Sequence, residues 1–252
     1  MTRVNLGRYA DPEYLDAALY DLENPWGPDD DFFLALARRE GGPVLDLGCG
    51  TGRLARAIAR AGLDVTGIEP VPAMLARARA LSGDHAIDYV PGDARRFRLD
   101  RRFRLVTMTA HAFQHLLGAA DQAAALGRIA EHLVPGGLFA FDLRNIAVQN
   151  FDAPGLFRGL RNFYDEEGRR IDFEHMPRWD ATNGRATYLL RRRRQATGET
   201  WRSRVVLQYT EPDALDMQLR GAGLELVDRY GDWPGLPFVS DSPEIISVCR
   251  KA

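Results

Sequence analysis

Val44-Leu45-Asp46-Leu47-Gly48-Cys49-Gly50-Thr51-Gly52 is the stretch on which the reading of this chain turns. Val44 to Leu47, apolar but for one acid, read as a short buried strand. Gly48 to Gly52 read as a tight turn, and Arg53 to Ala61 as a helix with Leu54 and Ile58 on one face. A glycine-rich turn between a strand and a helix lets the backbone bend sharply and lets a ligand come close without a Cβ in the way. The spacing matters. A dinucleotide fingerprint G-x-G-x-x-G read from Gly48 would put its third glycine at Arg53, and no G-x-x-x-x-G-K-[ST] phosphate loop is present. Neither a dinucleotide nor a triphosphate is therefore the favoured ligand.

Working outward, strands and helices alternate. Asp64 to Glu69 read as a second strand, closed by Pro70. Pro72 to Leu81 read as a helix with Met74, Leu75, Ala78 and Leu81 on one face. Ala86 to Val90 and Phe103 to Thr109 read as further strands. Gln122 to Leu133 read as a helix stopped by Pro135-Gly136-Gly137, and Leu138 to Leu143 as a fifth strand. This order implies a doubly wound α/β fold, a mostly parallel sheet with helices on both faces. Between Arg170 and Thr210 the period becomes two, with Asn183-Gly184 and Thr197-Gly198 as turns. We expect a three-strand antiparallel meander inserted there. A helix from Pro212 to Gly221 and strands at 225–230 and 245–250 complete the chain.

Two acids stand where such a sheet binds its ligand, at the carboxyl edge. Glu69 ends the second strand beside the glycine turn and is suited to accept both ribose hydroxyl protons; capping the next helix is the other reading. Asp93, in Gly92-Asp93-Ala94 after the third strand, is suited to accept from an adenine amino group, or it is an ordinary turn residue.

Together these pieces resemble the class I S-adenosylmethionine-dependent methyltransferase family, small-molecule type. The matching residues are 44–52, Glu69, Gly92-Asp93-Ala94 and Leu133-Val134-Pro135-Gly136-Gly137, in family order over roughly residues 40 to 145. The resemblance implies a seven-stranded sheet whose last strand runs antiparallel, and S-adenosyl-L-methionine as cofactor. It implies that Asp46 and Gly48 lie near the methionyl amine, Glu69 at the ribose, and Asp93 and Ala94 at the adenine. Cys49, Gly50, Pro70, Met74, Thr109 and Ala110 complete the expected cofactor set, although core packing explains Met74 as well. The insert is similar, more loosely, to the lid of enzymes acting on amino sugars and small amines. The expected division is 1–40 as a helical cap, 41–150 with 211–252 as the cofactor-binding unit, and 151–210 as the lid.

Loss of the sulfonium charge during methyl transfer favours an apolar or weakly polar pocket, and a base helps an amine or hydroxyl acceptor. His111 is the first candidate base and His115 the second, both in the loop after the fourth strand; a structural role is open for each. Their i, i+4 spacing suits a metal on a helix, but no third ligand is in view, so none is expected. Arg144 and Asn145 end the fifth strand. Arg144 is suited to a substrate carboxylate or phosphate, or to pairing with Asp142 or Glu174. Tyr20 and Trp26, in an acidic N-terminal segment that also holds Tyr9 and Tyr14, are expected to close over the site. Trp233 is a further candidate, with aromatic packing the alternative for all three.

Arg191 to Arg194 invite a nucleic-acid reading, but successive strand residues point to opposite faces. Asp165, Glu166, Glu167, Asp172, Glu174 and Glu199 are near enough in sequence to pair with them, and the formal net charge is −2. No apolar run approaches the ~20 residues of a membrane span, and the start has no signal-peptide core. Cys49 and Cys249 lack metal-ligand spacing, and reduced thiols are expected. The expectation is thus a cytoplasmic enzyme acting on a small molecule, with no nucleic-acid or membrane partner. A lid strand could pair with its counterpart in a homodimer. The alternatives are a cofactor-binding protein without transferase activity, an RNA or protein methyltransferase, and, against the glycine spacing, a dehydrogenase.

Overall fold

The computed structural model describes residue 14 and residues 16–151 and 156–252. Tyr9 therefore lies outside the described residues. Two sheets form. The larger has seven strands: β1 (Val44–Leu47), β2 (Val65–Glu69), β3 (Asp88–Pro91), β4 (Phe103–Met108), β5 (Leu133–Arg144), β10 (Leu224–Tyr230) and β11 (Glu244–Lys251), in the order β10-β11-β5-β4-β1-β2-β3. Pairing along β5-β4-β1-β2-β3 is parallel, and β11 runs antiparallel to both β5 and β10. The strand order reverses between β1 and β4, so the crevice at their carboxyl ends is the place where this architecture binds ligands.

Both faces of the sheet are covered, and the residues alternate between them. Leu45, Leu47, Val106, Phe139 and Phe141 pack on one side with α5 (Ala119–His132) and α6 (Pro212–Gly221). Val44, Leu105, Leu138 and Ala140 pack on the other with α2 (Pro28–Glu40), α3 (Arg53–Arg60) and α4 (Pro72–Leu81). Double coverage is why these strands read as nearly continuous apolar runs. Ahead of α2 lies the short helix α1 (Ala17–Glu23), capped by the Asp16 carboxylate.

The Pro135-Gly136-Gly137 stretch is not the helix stop that the sequence suggests. The last helical residue is His132, and β5 already begins at Leu133. The glycines instead sit in a bulge of that strand, where the register jumps from Phe103↔Leu133 to Leu105↔Leu138.

The insert is a four-strand antiparallel meander rather than three: β6 (Arg158–Tyr164), β7 (Arg170–Asp180), β8 (Arg185–Arg194) and β9 (Thr200–Gln208). β6 is an edge strand exposed over most of its length, so it lacks the alternation that marks a half-buried strand. One face of the meander carries Phe173, Tyr188, Leu190 and Leu207. The arginine run on β8 alternates as its strand geometry requires. Arg191 pairs with Glu174 at 2.6 Å, and Arg194 with Asp165 and Glu199. Arg192 points inward and is buried. No helix among the described residues is long and apolar enough to cross a membrane. Both cysteines are free and buried.

Candidate active site

The turn after β1 takes left-handed backbone at Gly48 (φ 78°), Gly50 (φ 56°) and Gly52 (φ 74°), a region that side chains disfavour. The turn is bonded to the end of β2. The Gly48 and Cys49 N–H groups donate to the Ile68 carbonyl at 2.8 and 3.0 Å, and Gly50 N–H donates to Glu69 Oε2 at 3.0 Å. Val71 N–H donates to Glu69 Oε1 at 2.8 Å. Glu69 thus helps fix both the glycine turn and the start of α4, and each carboxylate oxygen keeps a lone pair for a further donor. Burial pushes its pKa up to about 7, against the pull of the two backbone N–H groups. Burial likewise pushes Asp46 up to about 7, although the Thr107 hydroxyl donates to it at 3.2 Å.

These groups line one cavity. Its wall includes Asp46, Gly48, Cys49, Gly50, Glu69, Pro70, Met74, Ala94, Thr109 and Ala110, together with Ile68, Val71, Gly92, Met108 and Leu116. The donors and acceptors suit a nucleoside with an ammonium-bearing tail. Carboxylates stand at the ends of β1 and β2, and Ile68, Val71, Met74, Ala94 and Leu116 give the wall apolar surface. A Cβ on Gly50 would stand 3.6 Å from Met74 Cε and 3.9 Å from Tyr20 Cε1, inside the cradle. Of the expected cofactor set, only Asp93 is not on this wall. Arg95, two residues on, donates to it through backbone N (2.9 Å) and Nε (2.8 Å), and Arg96 adds a weaker contact. Its carboxylate is committed to those cations, which hold its pKa below the usual range despite burial.

A second, larger cavity of about 670 Å³ adjoins the first, between α1, the ends of β4 and β5, and the apolar face of the meander. Tyr14, Tyr20, Arg53, Ala110 and His115 belong to the walls of both, so these residues mark the passage between them. His115 Nε2 lies 3.1 Å from the Tyr14 hydroxyl, with the rings edge to face at 5.7 Å. Burial, with the Arg144 charge adding to it, pushes the His115 pKa down to about 4, so the ring is neutral at pH 7.

His111 has a different setting. Its Nε2 lies 3.0 Å from Glu244 Oε2 and 3.4 Å from Asp142 Oδ2, and its backbone N–H donates to Asp142 Oδ2 at 2.9 Å. These contacts hold Ala110 (φ 54°) and His111 (φ 60°) in consecutive left-handed conformations that non-glycine residues avoid. Ligand atoms of His111, Asp142 and Glu244 lie within 4.8 Å of one another, as a metal site would need. Here the imidazole itself bridges the two carboxyls, whose pKa values burial pushes up. Asp142 Oδ1 is buried without a hydrogen-bond partner among the described residues. His115 is not one of these three residues; its Nε2 faces the Tyr14 hydroxyl.

Arg144 reaches the second cavity. Asn145, Trp26 and Trp233 do not line either cavity. Asn145 is buried, its amide donating to the Ser240 and Ser242 carbonyls at 2.9 and 2.8 Å, so it ties down the loop before β11. Trp26 is half-exposed and donates to Asp31 at 2.8 Å. Trp233 packs against Phe32 and Phe33 of α2, with centroids 6.1 Å away from each. Sequence reasoning passed over Tyr14 as a partner of His115. It also overlooked Gln114, whose side chain accepts from Arg144 N–H at 3.0 Å and donates to the Gln208 carbonyl at 3.2 Å, joining β5 to the meander.

Residues 44–137 match the family described as a methyltransferase domain. The cypemycin N-terminal methyltransferase of a Streptomyces species is 30% identical over 217 residues, 84% of each chain. The dTDP-3-amino-3,6-dideoxy-alpha-D-glucopyranose N,N-dimethyltransferase of Streptomyces fradiae is 38% identical over 131 residues; the match spans 48% of this chain and half the length of that relative. The CcbJ methyltransferase of Streptomyces caelestis superposes with a TM-score of 0.78 at 26% identity, over 95% of this chain and 98% of that one. With the glycine turn, the two buried carboxyls and the seven-stranded sheet, these likenesses establish that the chain belongs to the S-adenosylmethionine-dependent methyltransferase family.

Proposed function

We propose that this enzyme methylates a nitrogen of a small-molecule amine seated in the larger cavity, with S-adenosylmethionine in the smaller one. The observation that carries the reading is the position of His115: a neutral imidazole, bonded to Tyr14, on the wall common to both cavities. Glu69 would accept the ribose hydroxyls, Asp46 would face the methionyl ammonium, and Met74, Ile68 and Ala94 would enclose the adenine. When bound, the cofactor supplies a methyl group on a sulfonium, already activated for displacement.

The chain's own part is alignment and exclusion of water. An amine attacks only with its lone pair free. With a pKa near 4, His115 cannot hold the amine's proton at neutral pH; it accepts a hydrogen bond from an acceptor N–H and so turns the lone pair toward the passage. The departing proton leaves to solvent. Phe173, Tyr188, Leu190, Val205 and Leu207 give the cavity an apolar wall, which suits a reaction that discharges a cation. Two relatives named as amino-sugar N,N-dimethyltransferases support nitrogen over oxygen. The near-neutral net charge of −2 speaks against a nucleic-acid acceptor. We read 1–40 as the cap, 41–150 with 211–252 as the cofactor unit, and 151–210 as the lid. Two free, buried cysteines suit the reducing cytoplasm.

The test is incubation of the purified protein with methyl-labelled S-adenosylmethionine and matched sets of small amines and alcohols, read by mass spectrometry. Transfer to amines supports the reading. Transfer to alcohols alone, or cofactor binding with no transfer to any acceptor, overturns it.

A further inference from the structure

The walls of the larger cavity are unequally neutralised. Its acids already have partners: Glu23 is bonded to Arg192, and Asp29 faces Arg53 at 3.5 Å. Two of its arginines do not. Among the described residues neither Arg144 nor Arg161 forms an ion pair. The Arg144 guanidinium stands 5.9 Å from the Tyr188 ring centroid, and that of Arg161 stands 4.9 Å from Phe173. Five other arginines of the meander, Arg169, Arg170, Arg191, Arg192 and Arg194, meet carboxylates. Glu244, whose charge acts on Arg144 from further off, is bonded to His111.

His175 on β7 lines the same cavity, its ring 6.1 Å from that of Tyr188. The charges of Arg158, Arg144 and Arg161 all reach it. Arg158 itself is turned to Asn150. A guanidinium laid over an aromatic face keeps its hydrogen-bond donors for an oxyanion; Arg144 is half-buried there and Arg161 is exposed. Arg144 comes from the large sheet and Arg161 from the edge of the lid, and Gln114 fixes the backbone of the first.

We infer that the acceptor carries an oxyanion, a carboxylate or a phosphate, apart from its reacting nitrogen, and that Arg144, Arg161 and His175 bind it. The inference rests on the proposed amine-methylating role of this cavity and adds the chemical class of its substrate. His115 and Tyr14 receive the nitrogen; the cationic end receives the anion. The acceptor is thus held at two points, which orients it as well as binding it.

Two measurements test this. In the first, inorganic phosphate and acetate are titrated into the protein, and the His175 ring signals are followed by nuclear magnetic resonance. A saturable shift is expected, weakened about tenfold or more in Arg161→Gln; the more effective anion identifies which oxyanion the acceptor bears. No saturable shift with either, or the same shift in the variant, overturns the inference whether or not the enzyme methylates amines. In the second, KM and kcat are compared for amino acids against their amides, and for amino-sugar phosphates against the free amino sugars. A KM about tenfold or more lower for one anionic class is expected, with the advantage lost in Arg161→Gln and Arg144→Gln while the cofactor still binds Arg161→Gln normally. Equal use of neutral and anionic amines overturns this inference alone; no transfer to any amine overturns the function on which it rests.

Discussion

Arg192, on the third strand of the lid, and Glu23, at the end of α1, form an ion pair between two side chains that are each only 3% exposed. Arg192 Nη2 donates to Glu23 Oε2 at 2.6 Å, and Nη1 donates to Ser203 at 2.7 Å. Removing one partner strands a buried charge. Glu23→Leu is expected to destabilise the protein by about 3–5 kcal/mol, and the double variant with Arg192→Leu by clearly less. Denaturant unfolding of the two singles and the double reads both quantities.

Glu69 accepts two backbone N–H groups and is proposed to hold the ribose as well. Glu69→Gln is expected to weaken S-adenosylmethionine binding about 10- to 100-fold, the scale of a charged hydrogen bond, and Glu69→Ala to weaken it further. Calorimetry with both variants checks the order.

The buried carboxyls give a pH dependence with opposite signs for the free and bound protein. Asp46 and Glu69 have folded pKa values of about 7, above their ordinary 3.8 and 4.5. The folded state therefore binds more protons than the unfolded one, and this part of its stability is full below about pH 4 and is lost as the pH rises through 7. The cofactor-free protein is expected to melt lower at pH 8 than at pH 6. Binding of a cationic cofactor prefers the ionised carboxylates, so its affinity is expected to rise over the same interval. Thermal melts and calorimetry between pH 5.5 and 8, at constant ionic strength, read the two trends.

The two histidines separate by what they touch. His115→Ala is expected to lower kcat about 10- to 100-fold with little loss of fold. His111→Ala leaves Asp142 and Glu244 facing each other without the bridging ring, and is expected chiefly to lower the melting temperature. Measuring kcat and melting temperature on both variants distinguishes them; a reversed pattern would exchange the roles.

Gly52 has no room for a side chain. A Cβ there would lie 2.2 Å from Tyr89 Oη at a φ of 74°. Gly52→Ala is expected to cost about 2 kcal/mol or more, combining a left-handed alanine with an overpacked contact. Chemical denaturation beside wild type measures it.

Much of this was legible in the chain, for a local reason. Val44 and Leu45 alternate between two covered faces, and Glu69 stands one strand away from the glycines, so neighbours in sequence determine both the sheet and the smaller cavity. The sequence says less where a side chain's direction depends on partners elsewhere. Asn145 ends a strand at the active edge, yet its amide turns to carbonyls about a hundred residues away. Trp233 is drawn to the aromatic face of α2. Asp93 meets a nearer partner, Arg95, only two residues on. Tyr14, Arg161 and His175 come from the N-terminal segment and two lid strands that meet only in the folded chain. β6 carried no period because neither of its faces is deeply covered.

Asp21 and Glu23 are two residues apart on the short helix α1. Asp21 accepts from Thr51 of the glycine turn at 2.5 Å and from Arg77 of α4 at 2.9 Å, while Glu23 is bonded to the lid through Arg192. No residue of the four lid strands lines the smaller cavity. Even so, a seven-residue helix clamped at both places behaves as a strut rather than a hinge. Loosening the lid at Arg192 should accordingly be felt as faster escape of a molecule that the lid does not touch.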